Sequence, residues 1–282
     1  MLIFLLLASP AAQSPDLVAP GATLEQIATG FGFVEGPTAD STGTLYFSDI
    51  PSERIHSWRS ETGVVTVREE TAGANGLQFD AEGNLLMCEM GARRVTAMDP
   101  QGELSVVVDE LDGRRFNSPN DLWIDPDGGI YFSDPRYGPT DDLEMDGEHV
   151  YYISADRQHV TQVTDDLVRP NGIIGTADGT RLYVADHGAG RTYVYSRADD
   201  GTLREKRLFV AQGSDGMTMD ERGNVYLTGS DITVYDPRGE TIASIAVPEP
   251  PANLTFGGPD RTTLFIAART SLYALEMVVT GQ

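Results

Sequence analysis

The feature of this chain that most restricts its fold is one short pattern that occurs six times. Each copy has a polar residue, a short strand, a turn containing aspartate or glycine, and a second strand rich in aromatic and β-branched residues. The polar residues that open the copies are Glu35, Asn75, Asn120, Asn171, Asp215 and Asn253. Because glycine and aspartate tolerate the positive φ of tight turns, each copy predicts a β-hairpin.

The spacing of the copies predicts the architecture. Consecutive opening residues are 38 to 51 residues apart, close to the roughly 40–50 residues of a propeller blade. Two further strands fit in each repeat, for example 54–58 and 63–67, and no segment shows apolar residues at helical spacing. The sequence therefore predicts an all-β, six-bladed β-propeller with four antiparallel strands per blade. The last blade lacks one strand, and we expect residues 23–28 to supply it and close the ring.

The N-terminal segment differs in composition from the repeats. Residues 2–8 form an apolar run that is too short to span a bilayer, and small residues follow it as at a signal-peptidase site. We interpret residues 1–12 as a signal peptide, which predicts a secreted or periplasmic protein. The alternative is a start created by a misplaced initiation codon, since no basic residue precedes the run. Residues 13–21 are then a linker, and residues 22–282 are a single propeller domain.

Charge and cysteine content exclude several classes of partner and site. The chain has 43 acidic and 20 basic residues, a formal net charge of −23. This charge argues against binding to nucleic acids or to anionic membrane surfaces, because phosphate binding needs basic side chains. Cys88 is the only cysteine, which excludes an internal disulfide and any metal site built from several cysteines.

The six opening residues define a candidate metal site. In a propeller the first strand of each blade lines the central channel, so these residues are expected to form a ring of two carboxylates and four carboxamides. Two carboxylates in a narrow channel repel each other unless one is protonated or a cation is bound. Ligands that are all oxygen favour a hard cation, with Ca²⁺ first, Mg²⁺ or Mn²⁺ second and Zn²⁺ as a substitute. The alternative is that each residue only caps a turn.

Four motifs carry a family resemblance. They are Glu35-Gly-Pro, Ser118-Pro-Asn-Asp-Leu, Arg169-Pro-Asn-Gly and Ser214-Asp-Gly. Together they resemble the gluconolactonase/regucalcin-like superfamily of six-bladed propellers, in particular its secreted bacterial gluconolactonase-type branch. The resemblance implies a divalent metal in the channel and hydrolysis of lactones or related esters. It implies metal ligands at Glu35, Asn120, Asn171 and Asp215, and substrate contact at Asn75. The fifth motif of the family usually reads Pro-Asp-Gly, and this chain keeps its aspartate.

A second layer of candidate residues follows from the hairpins. Their second strands return to the rim of the channel and end in acids in four blades, at Asp49, Glu89, Asp134 and Asp186. The family resemblance implies Asp215 as the general base, with Asp134 as its competitor. We further predict that the substrate contacts Asn75, Asn120, Glu89, Arg115 and His187. The alternative for the acids at the rim and for Arg115 is solvated surface charge.

These residues predict a hydrolase for a small lactone or ester. Opening a lactone requires polarisation of the carbonyl, a base for the attacking water and stabilisation of the negative charge that develops. Motifs of serine hydrolases, P-loop proteins, dinucleotide-binding proteins and zinc proteases are absent from the sequence. Two alternatives remain open: a non-catalytic calcium-binding or interaction propeller, and a phosphotriester-type hydrolase. The acidic segment 136–149 is either a lid over the site or a solvated insertion.

Overall fold

The structure is a computed structural model that describes residues 16–282. The predicted signal peptide, residues 1–12, and the first part of the predicted linker lie outside the described residues. Residues 16–282 contain strands and turns. In this part of the chain no helix has the length and apolar character needed to cross a membrane.

The strands form six four-stranded antiparallel sheets, which confirms the predicted six-bladed propeller. Strand β1 is Glu25–Thr29. The first blade comprises β2 (Val34–Ala39), β3 (Leu45–Asp49), β4 (Arg54–Arg59) and β5 (Gly63–Glu69). The second comprises β6 (Ala74–Phe79), β7 (Leu85–Glu89), β8 (Arg94–Met98) and β9 (Leu104–Val108). A small hairpin follows, β10 (Glu110–Leu111) with β11 (Arg114–Arg115).

The remaining four blades repeat the same order from the axis outwards. The third comprises β12 (Leu122–Ile124), β13 (Ile130–Asp134), β14 (His149–Ile153) and β15 (Val160–Gln162). The fourth comprises β16 (Pro170–Gly175), β17 (Arg181–Asp186), β18 (Arg191–Arg197) and β19 (Leu203–Val210). The fifth comprises β20 (Met217–Met219), β21 (Val225–Leu227), β22 (Ile232–Tyr235) and β23 (Thr241–Ile245). The sixth comprises β24 (Asn253–Gly257), β25 (Thr263–Ala268) and β26 (Ser271–Glu276), with β1 as its outermost strand.

The pairing of β1 with β26 closes the ring. Gln26 pairs with Tyr273 and Thr29 with Ser271 in an antiparallel ladder, so the strand expected at residues 23–28 is present. The packed structure also extends further towards the N terminus than residue 22. Leu17 and Val18, which belong to the segment predicted as a linker, are buried, and Val18 forms an isolated bridge with Met277.

The repeated aspartates hold the hairpin turns between the first and second strands. The carboxylate of Asp40 accepts hydrogen bonds from the backbone N–H groups two and four residues ahead, at 2.8 and 3.0 Å. Asp80, Asp125 and Asp220 repeat this arrangement in the second, third and fifth blades. The aspartate side chain thus supplies an acceptor for two further backbone N–H groups of the tight turn, in addition to the backbone hydrogen bonds, which explains the recurrence of this residue type at these positions.

The hydrophobic core lies between neighbouring blades and leaves the axis to polar residues. Between the second and third blades, the Phe116 ring packs edge-on against Phe132 and Tyr151, with centroid distances of 5.1 Å to each. Trp58 packs on Phe265 across the junction that the closing blade makes with the first. Each buried aromatic side chain contributes about 1.5–3 kcal/mol of hydrophobic stabilisation. These contacts fix the angle between blades and therefore the position of the innermost strands.

Candidate active site

The six opening residues of the repeats lie around the channel axis. Hydrogen bonds join side chains of different blades: Asn171 Nδ2 donates to Asp215 Oδ1 at 2.6 Å, and Asn253 Nδ2 donates to Glu35 Oε2 at 2.9 Å. Five of the six side chains are buried, and Asp215 is partly exposed to a cavity at the channel mouth. The predicted metal ligands Glu35, Asn120, Asn171 and Asp215 all belong to this ring.

Close packing of the blades at the axis explains the glycine that follows four of the ring residues. Gly36 has a φ of 52°, and a Cβ at this position would overlap with the backbone carbonyl of Asn75 in the next blade. A Cβ on Gly216 would overlap with the side chain of Asn253. The blades therefore approach each other at the ring as closely as the backbone allows, which limits the movement of the ring side chains.

Hydrogen-bond acceptors orient the amide groups of the ring. Some of these acceptors lie outside the ring, and one is the carboxylate of a ring residue. Asn75 Nδ2 and Asn120 Nδ2 lie 3.4 and 3.9 Å from the thioether of Met90, and Asn171 Nδ2 donates to both Asp215 and the hydroxyl of Tyr137. Each of these amide nitrogens therefore has an acceptor. Their carbonyl oxygens accept no hydrogen bond from residues 16–282 and remain available at the channel.

The two carboxylates of the ring influence each other. Burial and the nearby charge of Asp215 raise the pKa of Glu35 well above its ordinary value, although hydrogen bonds from Gly36 and Asn253 act in the opposite direction. Burial also raises the pKa of Asp215, while the hydrogen bond from Asn171 and the charges of His187 and Arg269 lower it. The channel thus concentrates negative charge that a proton or a cation would neutralise.

The chemistry of this donor set fits a hard divalent cation. Two carboxylates and three free amide oxygens are the ligand types that Ca²⁺ accepts in proteins. Among residues 16–282, no group of three or more His, Cys, Asp or Glu side chains is arranged to hold a metal. A cation in the channel would therefore depend on amide oxygens, and the residues that would hold it are Glu35, Asn120, Asn171 and Asp215.

Asp121 is a residue of the channel that the sequence analysis did not single out. Asp121 directly follows Asn120, whereas a glycine follows four of the other ring residues. Together with Asn253 it lines a small cavity. Burial raises the pKa of Asp121 to about 7, although the backbone N–H groups of Leu122 and Ile173 donate to its carboxylate. Asp121 and Leu254 are the two exceptions to the glycine pattern, and the charge of Asp121 was the available signal in the sequence.

Three of the acids at strand ends have one shared function in the fold. Each accepts hydrogen bonds, between 2.7 and 3.2 Å, from the backbone N–H groups two and three residues before the ring residue of its own blade. The donors are Gly32 and Phe33 for Asp49, Asn117 and Ser118 for Asp134, and Val168 and Arg169 for Asp186. These carboxylates hold the loops that deliver Glu35, Asn120 and Asn171 to the axis.

Asp134 is completely buried, and both of its oxygens are used in this way. Burial raises the pKa of Asp134 to about 7, against the opposing effect of the two backbone hydrogen bonds. A carboxyl group enclosed by its own loop has no oxygen directed at the channel. This geometry favours Asp215 over Asp134 as the general base.

The other predicted substrate contacts fall in different places. Glu89 is buried in the second blade, where it accepts hydrogen bonds from Arg94 at 2.6 Å and Thr96 at 3.1 Å. Arg115 lies on the outer hairpin and pairs with Glu144 at 2.6 Å. His187 lies beside Asp215 on the cavity at the channel mouth. The structure thus places His187 next to the ring residue Asp215. Glu89 and Arg115 instead form ion pairs away from this cavity, with Arg94 and Glu144.

The cavity at the mouth has room for a small ligand. Its volume is about 320 Å³, and Asp215 is one of its lining residues. Its walls are formed by His187, Arg269, the ring of Phe33 and a pair of prolines, Pro250–Pro251. The Arg269 guanidinium lies 5.3 Å from the centre of the Phe33 ring, which holds a positive charge at the rim. A few polar side chains among apolar ones are typical of small-molecule sites.

Tyr137 is a second residue of the site that the sequence analysis missed. It lies near the start of segment 136–149, which we call the strap, and its hydroxyl accepts the 2.7 Å hydrogen bond from Asn171. Burial raises the pKa of Tyr137 above its ordinary value, so that the phenol stays protonated. Its position directly after Asp134-Pro-Arg, in a motif next to the ring, was the available signal.

Comparison with known proteins identifies relatives of the whole propeller. A family model described as the SMP-30/gluconolactonase/LRE-like region matches residues 33–270. A gluconolactonase of Zymomonas mobilis is 32% identical over 281 residues, which covers 87% of this chain and 78% of that protein. A pentonolactonase of Haloferax volcanii is 29% identical and covers 79% of this chain and 76% of that protein.

Solved structures agree with this assignment. A gluconolactonase from Xanthomonas campestris has a TM-score of 0.86 at 29% identity, and the match covers 95% of this chain and 96% of that one. A calcium-binding regucalcin from Agrobacterium tumefaciens has a TM-score of 0.76 at 21% identity, with 97% and 96% of the two chains covered. At that identity the second match shows the fold alone.

Proposed function

The chain belongs to the SMP-30/gluconolactonase/LRE-like family, and we propose that it hydrolyses sugar lactones with the help of Ca²⁺ held in the central channel. The observation that carries the proposal is the ring of two carboxylates and three free amide oxygens, one member of which, Asp215, lines a cavity of about 320 Å³. The names of the relatives, gluconolactonase and pentonolactonase, support the substrate class.

The ring residues have two tasks in this proposal. Glu35, Asn120, Asn171 and Asp215 would hold the cation, and Mg²⁺, Mn²⁺ or Zn²⁺ could replace Ca²⁺ at such ligands. When bound, the metal supplies Lewis-acid polarisation of a carbonyl oxygen. The amides of Asn75 and Asn120 lie beside each other at Met90 and would orient the lactone.

Asp215 is the residue we assign as general base. It lines the cavity at the channel mouth, and Asn171 fixes one of its oxygens, Oδ1. It would take a proton from the attacking water as the oxygen of that water bonds to the acyl carbon. The acyl C–O bond of the ring then breaks, and Asp215 returns the proton to the ring oxygen, which leaves as a hydroxyl group. The product is a hydroxy acid, and no other reactant is consumed.

The cavity also bears on the two alternatives. A propeller that only binds calcium or a partner protein would need the ring and no pocket above it. The cavity beside Asp215 and His187 therefore favours a reaction with a small molecule. A phosphotriester-type hydrolase could use the same ring, but the named relatives are lactonases. Phosphotriester hydrolysis is therefore the second activity that the experiment below can detect.

The test is acid release from glucono-1,5-lactone by the protein loaded with Ca²⁺, by the protein in chelator, and by Asp215→Asn. We expect turnover only with metal, and a rate that rises with pH through the pKa of the base. Asp215→Asn should lose about 100-fold or more in rate. Metal binding is measured separately by calorimetry.

Two results would contradict the proposal. If Ca²⁺ binds and no lactone or ester is hydrolysed, the protein is a binding scaffold. If Asp215→Asn binds metal and keeps the full rate, Asp215 is not the base. Hydrolysis of a phosphotriester in place of any lactone would establish the second alternative.

A further inference from the structure

Tyr137 holds a fixed position above the ring. Its hydroxyl lies 2.7 Å from Asn171 Nδ2, and its ring packs edge-on against His187 with a centroid distance of 6.2 Å. On its other side the guanidinium of Arg169 lies 5.2 Å from the ring centre. The phenol therefore lies between the ring amide and the histidine of the cavity.

The hydroxyl of Tyr137 keeps one unused hydrogen-bonding function. Asn171 donates to the hydroxyl oxygen, so the O–H group of Tyr137 remains free to donate. No residue in the range 16–282 accepts a hydrogen bond from it, and about half of the side chain is exposed. A donor with a fixed oxygen and no protein acceptor is a natural contact for a ligand hydroxyl.

Ion pairs hold the strap that carries this tyrosine. Asp142 lies 3.2 Å from Arg93 Nη1 and 2.6 Å from Arg136 Nη2, and Arg93 is almost completely buried. Glu148 lies 3.2 Å from Arg169 Nε and accepts a hydrogen bond from the backbone N–H of Arg136 at 3.1 Å. Arg136, next to Tyr137 in the chain, and Arg169, which lies against its ring, are therefore both held by ion pairs. A fixed Tyr137 loses less conformational entropy when a ligand binds.

Resting on the proposed lactone hydrolysis, we propose that Tyr137 determines specificity by donating a hydrogen bond to a ring hydroxyl of the lactone. The enzyme would then distinguish polyhydroxylated sugar lactones from lactones that carry no hydroxyl group. His187 and Arg269 also lie at the channel mouth and could contact hydroxyls, and His187 packs against the ring of Tyr137. Tyr137 is the group that is already bonded to the ring.

The test compares Tyr137→Phe with the parent protein, both loaded with Ca²⁺, on two substrates. Glucono-1,5-lactone has the hydroxyl groups, and δ-valerolactone has the same six-membered lactone ring without them. Loss of one neutral hydrogen bond predicts a decrease of about 3- to 10-fold in kcat/KM for the sugar lactone. We expect kcat/KM for δ-valerolactone to stay unchanged. Tyr195→Phe is the matched control, because the buried hydroxyl of Tyr195 has no hydrogen-bond partner.

Calorimetric titration with Ca²⁺ separates the proposed contact from an effect on the ring, since Tyr137→Phe also removes an acceptor of Asn171. An unchanged Ca²⁺ affinity with selective loss on the sugar lactone supports the proposal. An equal loss on both lactones, with or without weaker Ca²⁺ binding, overturns it and assigns Tyr137 a positioning effect on Asn171. If the parent protein hydrolyses neither lactone while it binds Ca²⁺, the proposed function fails and this inference fails with it.

Discussion

Nδ2 of Asn171 lies 2.6 Å from Oδ1 of Asp215, and the same nitrogen lies 2.7 Å from the hydroxyl of Tyr137. One amide group thus joins the innermost strand of the fourth blade to the start of the fifth and to the strap from the third. Its nitrogen is committed to these two oxygens, and its carbonyl oxygen accepts no hydrogen bond from residues 16–282. The function of the ring depends on such bonds between blades, and the following predictions test them.

We expect Glu35→Gln to weaken Ca²⁺ binding and to stabilise the protein in chelator. The substitution removes a buried carboxylate whose pKa is raised by burial and by the charge of Asp215, and a gain of about 0.5–2 kcal/mol is typical of a stabilising substitution. A raised pKa means that the parent protein loses stability as pH increases and Glu35 ionises. The advantage of Glu35→Gln should therefore grow with pH. Urea unfolding at two pH values, with Ca²⁺ titration, measures both effects; a variant that is less stable at high pH would contradict them.

We expect Gly216→Ala to destabilise the propeller by about 1–3 kcal/mol, the usual cost of overpacking. The new methyl group would overlap with Asn253, whose amide donates to Glu35, so Ca²⁺ affinity should decrease as well. Gly229→Ala in the same blade is the control, since its Cβ would meet its nearest atoms at 3.6 Å. Thermal unfolding and calorimetry measure the difference. Equal stability of the two variants would show that the ring tolerates wider spacing.

We expect Asp134→Asn to cost about 1–3 kcal/mol, because an amide can accept only one of the two backbone hydrogen bonds that the carboxyl group accepts. The cost should also depend on pH. The pKa of Asp134 is raised from an ordinary 3.8 to about 7, so the native state holds this proton more tightly than the unfolded chain. Its contribution is present at low pH and is lost as pH rises towards 7. The difference in unfolding free energy between parent and variant should thus be larger at pH 5 than at pH 8. The opposite order would show that the carboxylate form is the stabilising one.

We expect Asp142→Asn to loosen the strap. The substitution removes the shared partner of Arg93 and Arg136, and the partial exposure of Asp142 limits the loss of stability to about 1 kcal/mol. Limited proteolysis should cut faster within 136–149, and KM should rise more than kcat falls. Asp141→Asn is the matched control, because the exposed Asp141 forms no ion pair in the described residues. Equal cleavage of the two variants would show that these ion pairs do not hold the strap.

The fold could be predicted because the same local sequence pattern occurs in each repeat. The aspartate turns, the polar residue before each first strand and the regular spacing all indicate one blade, and six copies fix the ring. Membership of one ring also follows from the repeat, since equivalent positions must face one axis. The position of Glu35 and Asp215 at the channel could therefore be predicted without knowing the conformation of any loop.

The remaining parts of the site depend on contacts that no local pattern encodes. An acid at a strand end, such as Asp134 or Glu89, can face solvent, a metal or its own loop, and only the path of the preceding backbone decides which. The strap is held by Arg93 of the second blade and Arg169 of the fourth, so Tyr137 could not be located from residues 136–149 alone. Arg115 is likewise directed outwards by Glu144, a residue of the strap.

The closing blade imposes an order on biosynthesis. β1 emerges from the ribosome before any other strand of the ring, but its partner β26 is translated about 245 residues later. Until then β1 is an unpaired edge strand, the kind of segment that can associate with other chains. The strand that is made first is therefore the last to be paired, and the nascent protein depends most on protection from aggregation while its sixth blade is still incomplete.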